Sequence, residues 1–290
     1  MVSSPSGKEV EVKTWLIESL QNALSIWNYI QSIIIGSVYT SPQSFRDGTV
    51  WAFVQPIYGG LQAVGYALLV LFFVVGVIKT CGSFSEVKRP ELAIKLFVRF
   101  AIAKGVITHG MEIMLAFLNI GQGIIRTVFN AAGLGEPTAN NLPYAVIEAV
   151  QNSRFTDNIL LLEVTLIGCL IIWVVSFVMI ISVFGRIIKI FMYAAIAPIP
   201  LSTFAGEPTQ NIGKSFLKSF AGVCIEGVII VLACAVYSSF AHTSILPESE
   251  NATEAATIVW NYLGSMLLNM LILCGTVKAA DRVAREMMGL

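Results

Sequence analysis

Twenty-two consecutive residues, Ile57 to Ile78 (IYGGLQAVGYALLVLFFVVGVI), carry no charge. A helix rises about 1.5 Å per residue, so roughly 20 apolar residues cross the hydrocarbon core of a bilayer. Only a helix or a closed barrel satisfies its backbone polar groups in that medium. The run is therefore predicted as a membrane-spanning helix. Composition extends the reading to the whole chain: of 290 residues 56% are hydrophobic and 12% charged, with a mean hydropathy of +0.77. A soluble domain carries about 25% charged residues, because it needs a solvated shell.

Three more stretches have spanning length: Val164 to Phe184, Ser219 to Phe240 and Ala256 to Val277. A fifth, Leu92 to Ile120, is less pure, with Lys95, Arg99, Lys104, His109 and Glu112 among its apolar residues. The predicted fold class is all-α, a polytopic membrane protein of about five transmembrane helices, with spans near 57–78, 92–120, 164–184, 219–240 and 256–277. Residues 1–48 are expected to form an N-terminal outer-face helix, 49–279 the transmembrane domain and 280–290 a cytoplasmic tail.

Lys and Arg placement sets the orientation, because cytoplasmic loops carry an excess of both. With the N-terminus outside, Lys79, Lys88, Arg89, Lys95 and Arg99 fall inside, as do Arg186, Lys189, Lys214 and Lys218, and then Lys278, Arg282 and Arg285. Outside remain Lys8, Lys13, Arg46, Arg126 and Arg154, with Lys104 at mid-membrane. The last outer loop, His242 to Ala255, holds Glu248, Glu250 and Glu254 and no cation. The C-terminus is thus expected in the cytoplasm.

Val10 to Val38 is amphipathic. Leu16, Leu20, Ala23, Leu24, Trp27, Ile30 and Ile34 recur at helical spacing, opposite Gln21, Asn22, Ser25, Asn28 and Ser32. It reads as a helix on the outer membrane surface or docked on a partner, with a sixth crossing as the alternative. Gly121 to Asn158, with four glycines and two prolines, reads as the longest outer loop, with a short helix over Tyr144 to Val150.

Two features invite a mechanistic reading. After the third span, an apolar basic helix from Arg186 and Lys189 runs into Pro198 and Pro200, then Gly206-Glu-Pro. Prolines end helices and push the preceding residue toward extended backbone. An irregular cytoplasmic hairpin is expected, either an elbow or a docking element. Glu226 lies in the middle of the fourth span, where a carboxylate costs a few kcal/mol. It should face the interior, be protonated, or meet a partner; Asn269, His109, Lys104 and its own counterpart on a neighbouring subunit are candidates. The plainer reading is an acid that only holds helices together.

Gly60, Gly65, Gly105, Gly222 and Gly227 are candidate helix-packing positions. The cysteines Cys81, Cys169, Cys224, Cys234 and Cys274 form neither a metal-ligand spacing nor a disulfide framework. Asn251-Ala-Thr253 matches a glycosylation triplet of the kind that arises by chance. No signal peptide, phosphate loop or nucleophile–base arrangement is evident, and neither a cofactor nor enzyme activity is expected.

The run Arg186-Ile-Ile-Lys-Ile-Phe-Met-Tyr-Ala-Ala-Ile-Ala-Pro-Ile-Pro-Leu-Ser-Thr, then Ile212-Gly-Lys-Ser-Phe-Leu-Lys218 and Phe220-Ala-Gly-Val-Cys-Ile-Glu-Gly, resembles the TrbL-like family. These are the polytopic components, equivalent to the sixth VirB protein, of type IV secretion systems in conjugative elements, and the short Gram-positive forms are most similar. The likeness covers roughly Val50 to Phe240; the long C-terminal extension of many relatives is lacking. It implies a channel or scaffold subunit that forms a homo-oligomeric ring and helps move relaxase-bound single-stranded DNA or proteins. The implied partners are membrane lipid, other membrane subunits such as the bitopic factor equivalent to the eighth VirB component, cytoplasmic ATPases and the coupling protein. A stand-alone small-solute transporter or ion channel is the alternative, and a lipid-shaping scaffold a third reading.

Overall fold

The computed structural model describes residues 7–80, 90–133, 141–153, 157–240 and 255–290. The expectations placed on Cys81, Lys88, Arg89, Gly135, Pro137, Arg154, the triplet at Asn251 and the acidic loop at Glu248, Glu250 and Glu254 lie outside these residues. Among the described residues the chain is helical without strands: α1 (Gly7–Tyr39), α2 (Thr49–Thr80), α3 (Pro90–Thr108), α4 (Gly110–Ala131), α5 (Tyr144–Gln151), α6 (Asp157–Ile196), α7 (Pro198–Ser202), α8 (Gln210–Phe240) and α9 (Ala255–Met287). Five stretches are long and apolar enough to cross a membrane: Pro42–Lys79, Gly110–Ala131, Ile159–Ile196, Gln210–Ser238 and Thr257–Met287. The fold is an all-α polytopic membrane protein.

The helices pack as two compact units. One holds Met1–Gly36, Phe129–Val183 and Ile230–Ala279. There the stripe Leu16, Leu20, Ala23, Leu24, Trp27, Ile30 and Ile34 of α1 is buried, whereas Gln21, Asn22, Ser25 and Ser32 are exposed. The helix is thus packed on its own chain. Lys13 Nζ donates to the carbonyls of Gln151 (3.2 Å) and Ser153 (2.7 Å), a cation at the C-terminal end of α5 where carbonyls lack helical partners. Gly168 of α6 lets Leu263 of α9 approach so closely that a Cβ would meet it at 2.9 Å.

The other unit holds Ser37–Val128, Phe184–Ile229 and Ala280–Leu290. The chain enters α2 through a turn in which Arg46, Asp47 and Gly48 all have positive φ (48°, 57° and 76°). Phe45 anchors the turn, its ring 6.0 Å from Phe184 and 6.3 Å from Phe191. The core gathers Tyr58, Leu69, Ile107, Met114, Leu118, Ile190, Ala194, Leu201 and Phe220. Here α3 returns antiparallel to α2: Tyr58 Oη and Gln62 Nε2 each donate to Ile107 O at 3.1 Å, and Phe73 stacks edge-on to Phe100 at 4.9 Å.

Three expectations need correction. The stretch Leu92 to Ile120 is divided at His109 into α3 and α4, and its C-terminal half belongs to a helix that runs on to Ala131. Backbone bonding carries on through the joint: His109 N–H donates to Gly105 O (2.9 Å) and Ile113 N–H to His109 O (3.0 Å). The loop expected from Gly121 is therefore helical for its first eleven residues. Gly121 lies there because α8 is close, with a Cβ meeting Cys224 Cβ at 3.3 Å, and Gln122 bonds the terminal α1 carbonyls of Val38 and Tyr39.

The second correction concerns the prolines. α6 does end before Pro198, yet Ala197 is helical (φ −49°, ψ −38°) rather than extended, and Pro198 begins the short helix α7. Proline at a first helical position forfeits no backbone bond, because that N–H has no partner anyway. Pro198, Leu201, Ser202, Thr203 and Ala205 are buried. The segment is a packed helical elbow: of the two readings weighed for the hairpin, the elbow. Third, the segment expected as a cytoplasmic tail is helical: α9 runs unbroken to Met287, with Ala280 and Ala284 fully buried.

Candidate functional site: a buried charge network on three helices

The network begins with spacing. Arg186 and Lys189 stand three residues apart on α6, and Asp281 and Arg285 four apart on α9, so each pair shares one helix face. Glu226 projects from α8 between them. Lys189 Nζ lies 3.0 Å from Asp281 Oδ1 and 3.8 Å from Glu226 Oε2, and Arg285 Nε lies 3.2 Å from Asp281 Oδ2. Glu226 is 4% exposed, and its buried Oε2 has no hydrogen-bond partner. Coulomb attraction alone holds that oxygen, which a low-dielectric interior strengthens.

Arg186, also 4% exposed, is satisfied differently. Its Nε donates to Val223 O (3.1 Å) and its Nη2 to Cys224 O (3.5 Å), both carbonyls of α8. Gly227 makes this possible, since a Cβ there would collide with the guanidinium. Three cations face two carboxylates, leaving one positive charge over. The arrangement ties α6, α8 and α9 together and offers Lys189 two carboxylates. It contains no nucleophile beside a base, and among the described residues no group of His, Cys, Asp or Glu could hold a metal ion.

Within its unit Glu226 meets Lys189, not Lys104 or His109. Asn269 belongs to the other unit, where its buried Oδ1 has no hydrogen-bond partner. Lys104 and His109 are exposed, and His109 pairs with its neighbour Glu112 at 3.0 Å. Arg186 and Lys189, expected on a basic helix at the membrane face, are instead members of the buried network. Asp281 escaped notice, and Arg285 was read only as a topology charge, because both fell in the expected tail. Their four-residue spacing, in register with Ala280 and Ala284, was the available signal of a packed helix.

The glycines divide too. Gly65 receives the elbow: a Cβ would lie 2.8 Å from Pro198 O. Gly222 lies in ordinary contact with Met288, at 3.6 Å. Gly60 and Gly105 face open space. Pro200 is half-buried beside the buried Pro198, and Glu207 at the exposed end of the elbow is held by Arg99 at 3.1 Å.

A family model described as TrbL/VirB6 plasmid conjugal transfer like protein matches residues 30–198, more than half the chain. The match takes in Arg186 and Lys189 and stops at the first proline of the elbow, so Glu226 and Asp281 lie beyond it. Neither the curated proteins nor the solved structures contain a match.

Proposed function

The chain belongs to the TrbL/VirB6 plasmid conjugal transfer-like family, and from that premise we propose that it is an inner-membrane channel or scaffold subunit of a type IV secretion machine. As a member it is a multi-pass membrane component of conjugal transfer, in contact with lipid and with other secretion components. The finer reading is a wall element that passes relaxase-bound DNA or protein cargo, with its N-terminus outside, its C-terminus in the cytoplasm, and copies of itself alongside in a ring. Cytoplasmic ATPases, the coupling protein and the bitopic factor equivalent to the eighth VirB component are the proposed partners.

One observation carries the structural half of this reading. The ions of α6, α8 and α9, of which Arg186 and Glu226 are buried, pair with one another and with backbone, so they brace helices rather than line a polar site for a small solute. Exposed apolar residues along α6, among them Leu166, Leu170, Trp173, Phe177 and Ile181, suit lipid or neighbouring subunits. Because Pro198 is buried, Glu207 and Pro208 are the part of the elbow offered to cytoplasmic components.

Single cysteines introduced into a cysteine-free chain test the topology in intact cells. Impermeant label is expected to reach residues 242–255 and to spare residues 186–218 and 278–290; the reverse pattern overturns the orientation. Loss of mating transfer on deletion, restored by the intact chain, tests the assignment to conjugation, and unchanged transfer overturns it.

A further inference from the structure

The exposed face of α3 carries a lysine level with the middle of the uncharged run of α2. Rising numbers along α2 meet falling numbers along α3: Tyr66 Oη is 2.9 Å from Thr108 Oγ1, and the Phe73 ring lies against Phe100. Lys104 stands four residues from both Thr108 and Phe100. Its level on α2 is therefore between Tyr66 and Phe73, the middle of the uncharged run Ile57 to Ile78. Lys104 is exposed, and among the described residues no acid pairs with it.

Around it lies an apolar helix face without a partner in this chain. Ile94, Phe97, Val98 and Ile102 are exposed, Phe97 to 73%. In the middle of that face, one turn apart, stand Ala101 and Gly105, and a Cβ on Gly105 would enter open space. Two small residues four apart let another helix approach closely in a membrane. Lys104 borders the same face.

Lipid does not satisfy this arrangement. Half the hydrocarbon core is about 15 Å, farther than a lysine stem extends toward the headgroups. Nor does a second copy. Among the described residues of the five spans, Asp47, Glu112, Glu163, Asp281 and Glu286 stand near the ends, and Glu226 in the middle is buried against Lys189. We infer that the Ala101–Gly105 face of α3 docks a transmembrane helix of a different protein, one that presents an Asp or Glu to Lys104 near the bilayer midplane. A lysine at mid-span depth pairs with a counter-charge or faces water, and the apolar, small-residue face beside Lys104 favours the counter-charge. The inference needs α2 to cross the membrane and does not depend on what the assembly transports.

A photoreactive amino acid placed at Ala101 of the full chain, in membranes of its native host, tests it. The expected product is an adduct to one other membrane protein, through a spanning helix that contains an Asp or Glu. Lys104→Glu is expected to lower the adduct by about tenfold, a change of about 1.4 kcal/mol, and Lys104→Arg to preserve it. Converting the partner's acid to lysine in the Lys104→Glu background is expected to restore it. If Lys104→Glu does not accumulate in the membrane, Lys104→Gln is read instead, with the same loss expected. Adducts to a second copy, adducts to lipid alone, or a yield indifferent to the charge at position 104 overturn the inference.

Discussion

The guanidinium of Arg186 rests on Gly227, where a Cβ would displace it. The contact lets Nε and Nη2 reach the carbonyls of Val223 and Cys224 on α8.

Gly227→Ala is expected to lower stability by about 2–4 kcal/mol, because the displaced guanidinium stays buried without its bonds. Gly222→Ala meets Met288 at 3.6 Å, ordinary contact, and gains helix propensity, so it should be neutral or stabilising by up to about 1 kcal/mol. Thermal unfolding of the detergent-solubilised protein measures both. Adding Arg186→Met to Gly227→Ala should recover stability relative to Gly227→Ala alone. A double variant no better than the single one would show that the guanidinium is not what Gly227 accommodates.

Lys189 serves two carboxylates, whereas Asp281 has two cations. Lys189→Met removes the ion-pair partner of the buried Glu226, and a loss of about 3 kcal/mol is expected from breaking such a pair. Asp281 is about one-third exposed, and Asp281→Asn should cost about 1 kcal/mol or less. Denaturant titration in mixed micelles ranks the two. Equal losses would mean that Glu226 gains nothing from Lys189.

Gly65 and Gly60 look equivalent as letters and differ in what they face. Gly65→Ala should force the elbow off α2, since the obstructing atom is a backbone oxygen at 2.8 Å, and reduce both membrane accumulation and mating transfer several-fold. Gly60→Ala should leave both unchanged within about twofold, as nothing lies within 4 Å. Immunoblotting of membranes beside transfer counts reads the pair.

Helix class and the α1 face were legible because hydrophobic period is a local property of the sequence. Leu16, Leu20, Leu24, Trp27 and Ile34 are each buried as that period requires. Gly121 misled, because glycine signals a loop in water but close helix approach among packed helices. Ala197 misled for a related reason: the preference for extended backbone before proline is modest, and burial of the elbow outweighs it. The partner of Glu226 could not be read at all, since Lys189 and Asp281 lie 37 and 55 positions away and nothing local records their approach. Its interior placement could, from the desolvation of a mid-span carboxylate alone.

The last turns of α9 offer the remaining test, because a dispensable tail and a packed helix end behave oppositely on truncation. Ala280 and Ala284 are fully buried, Met288 lies on Gly222, and Asp281 holds Lys189. Ending the chain after Ala279 uncovers this surface and leaves Lys189 with Glu226 alone. A loss of at least about 2 kcal/mol and a several-fold fall in membrane accumulation are expected. Ending it after Met288 removes only Gly289 and the half-exposed Leu290, and should change neither. Parallel immunoblots and unfolding curves of the two truncations decide the matter. A chain ending at Ala279 that accumulates and unfolds like the full-length protein would show residues 280–290 to be a dispensable tail.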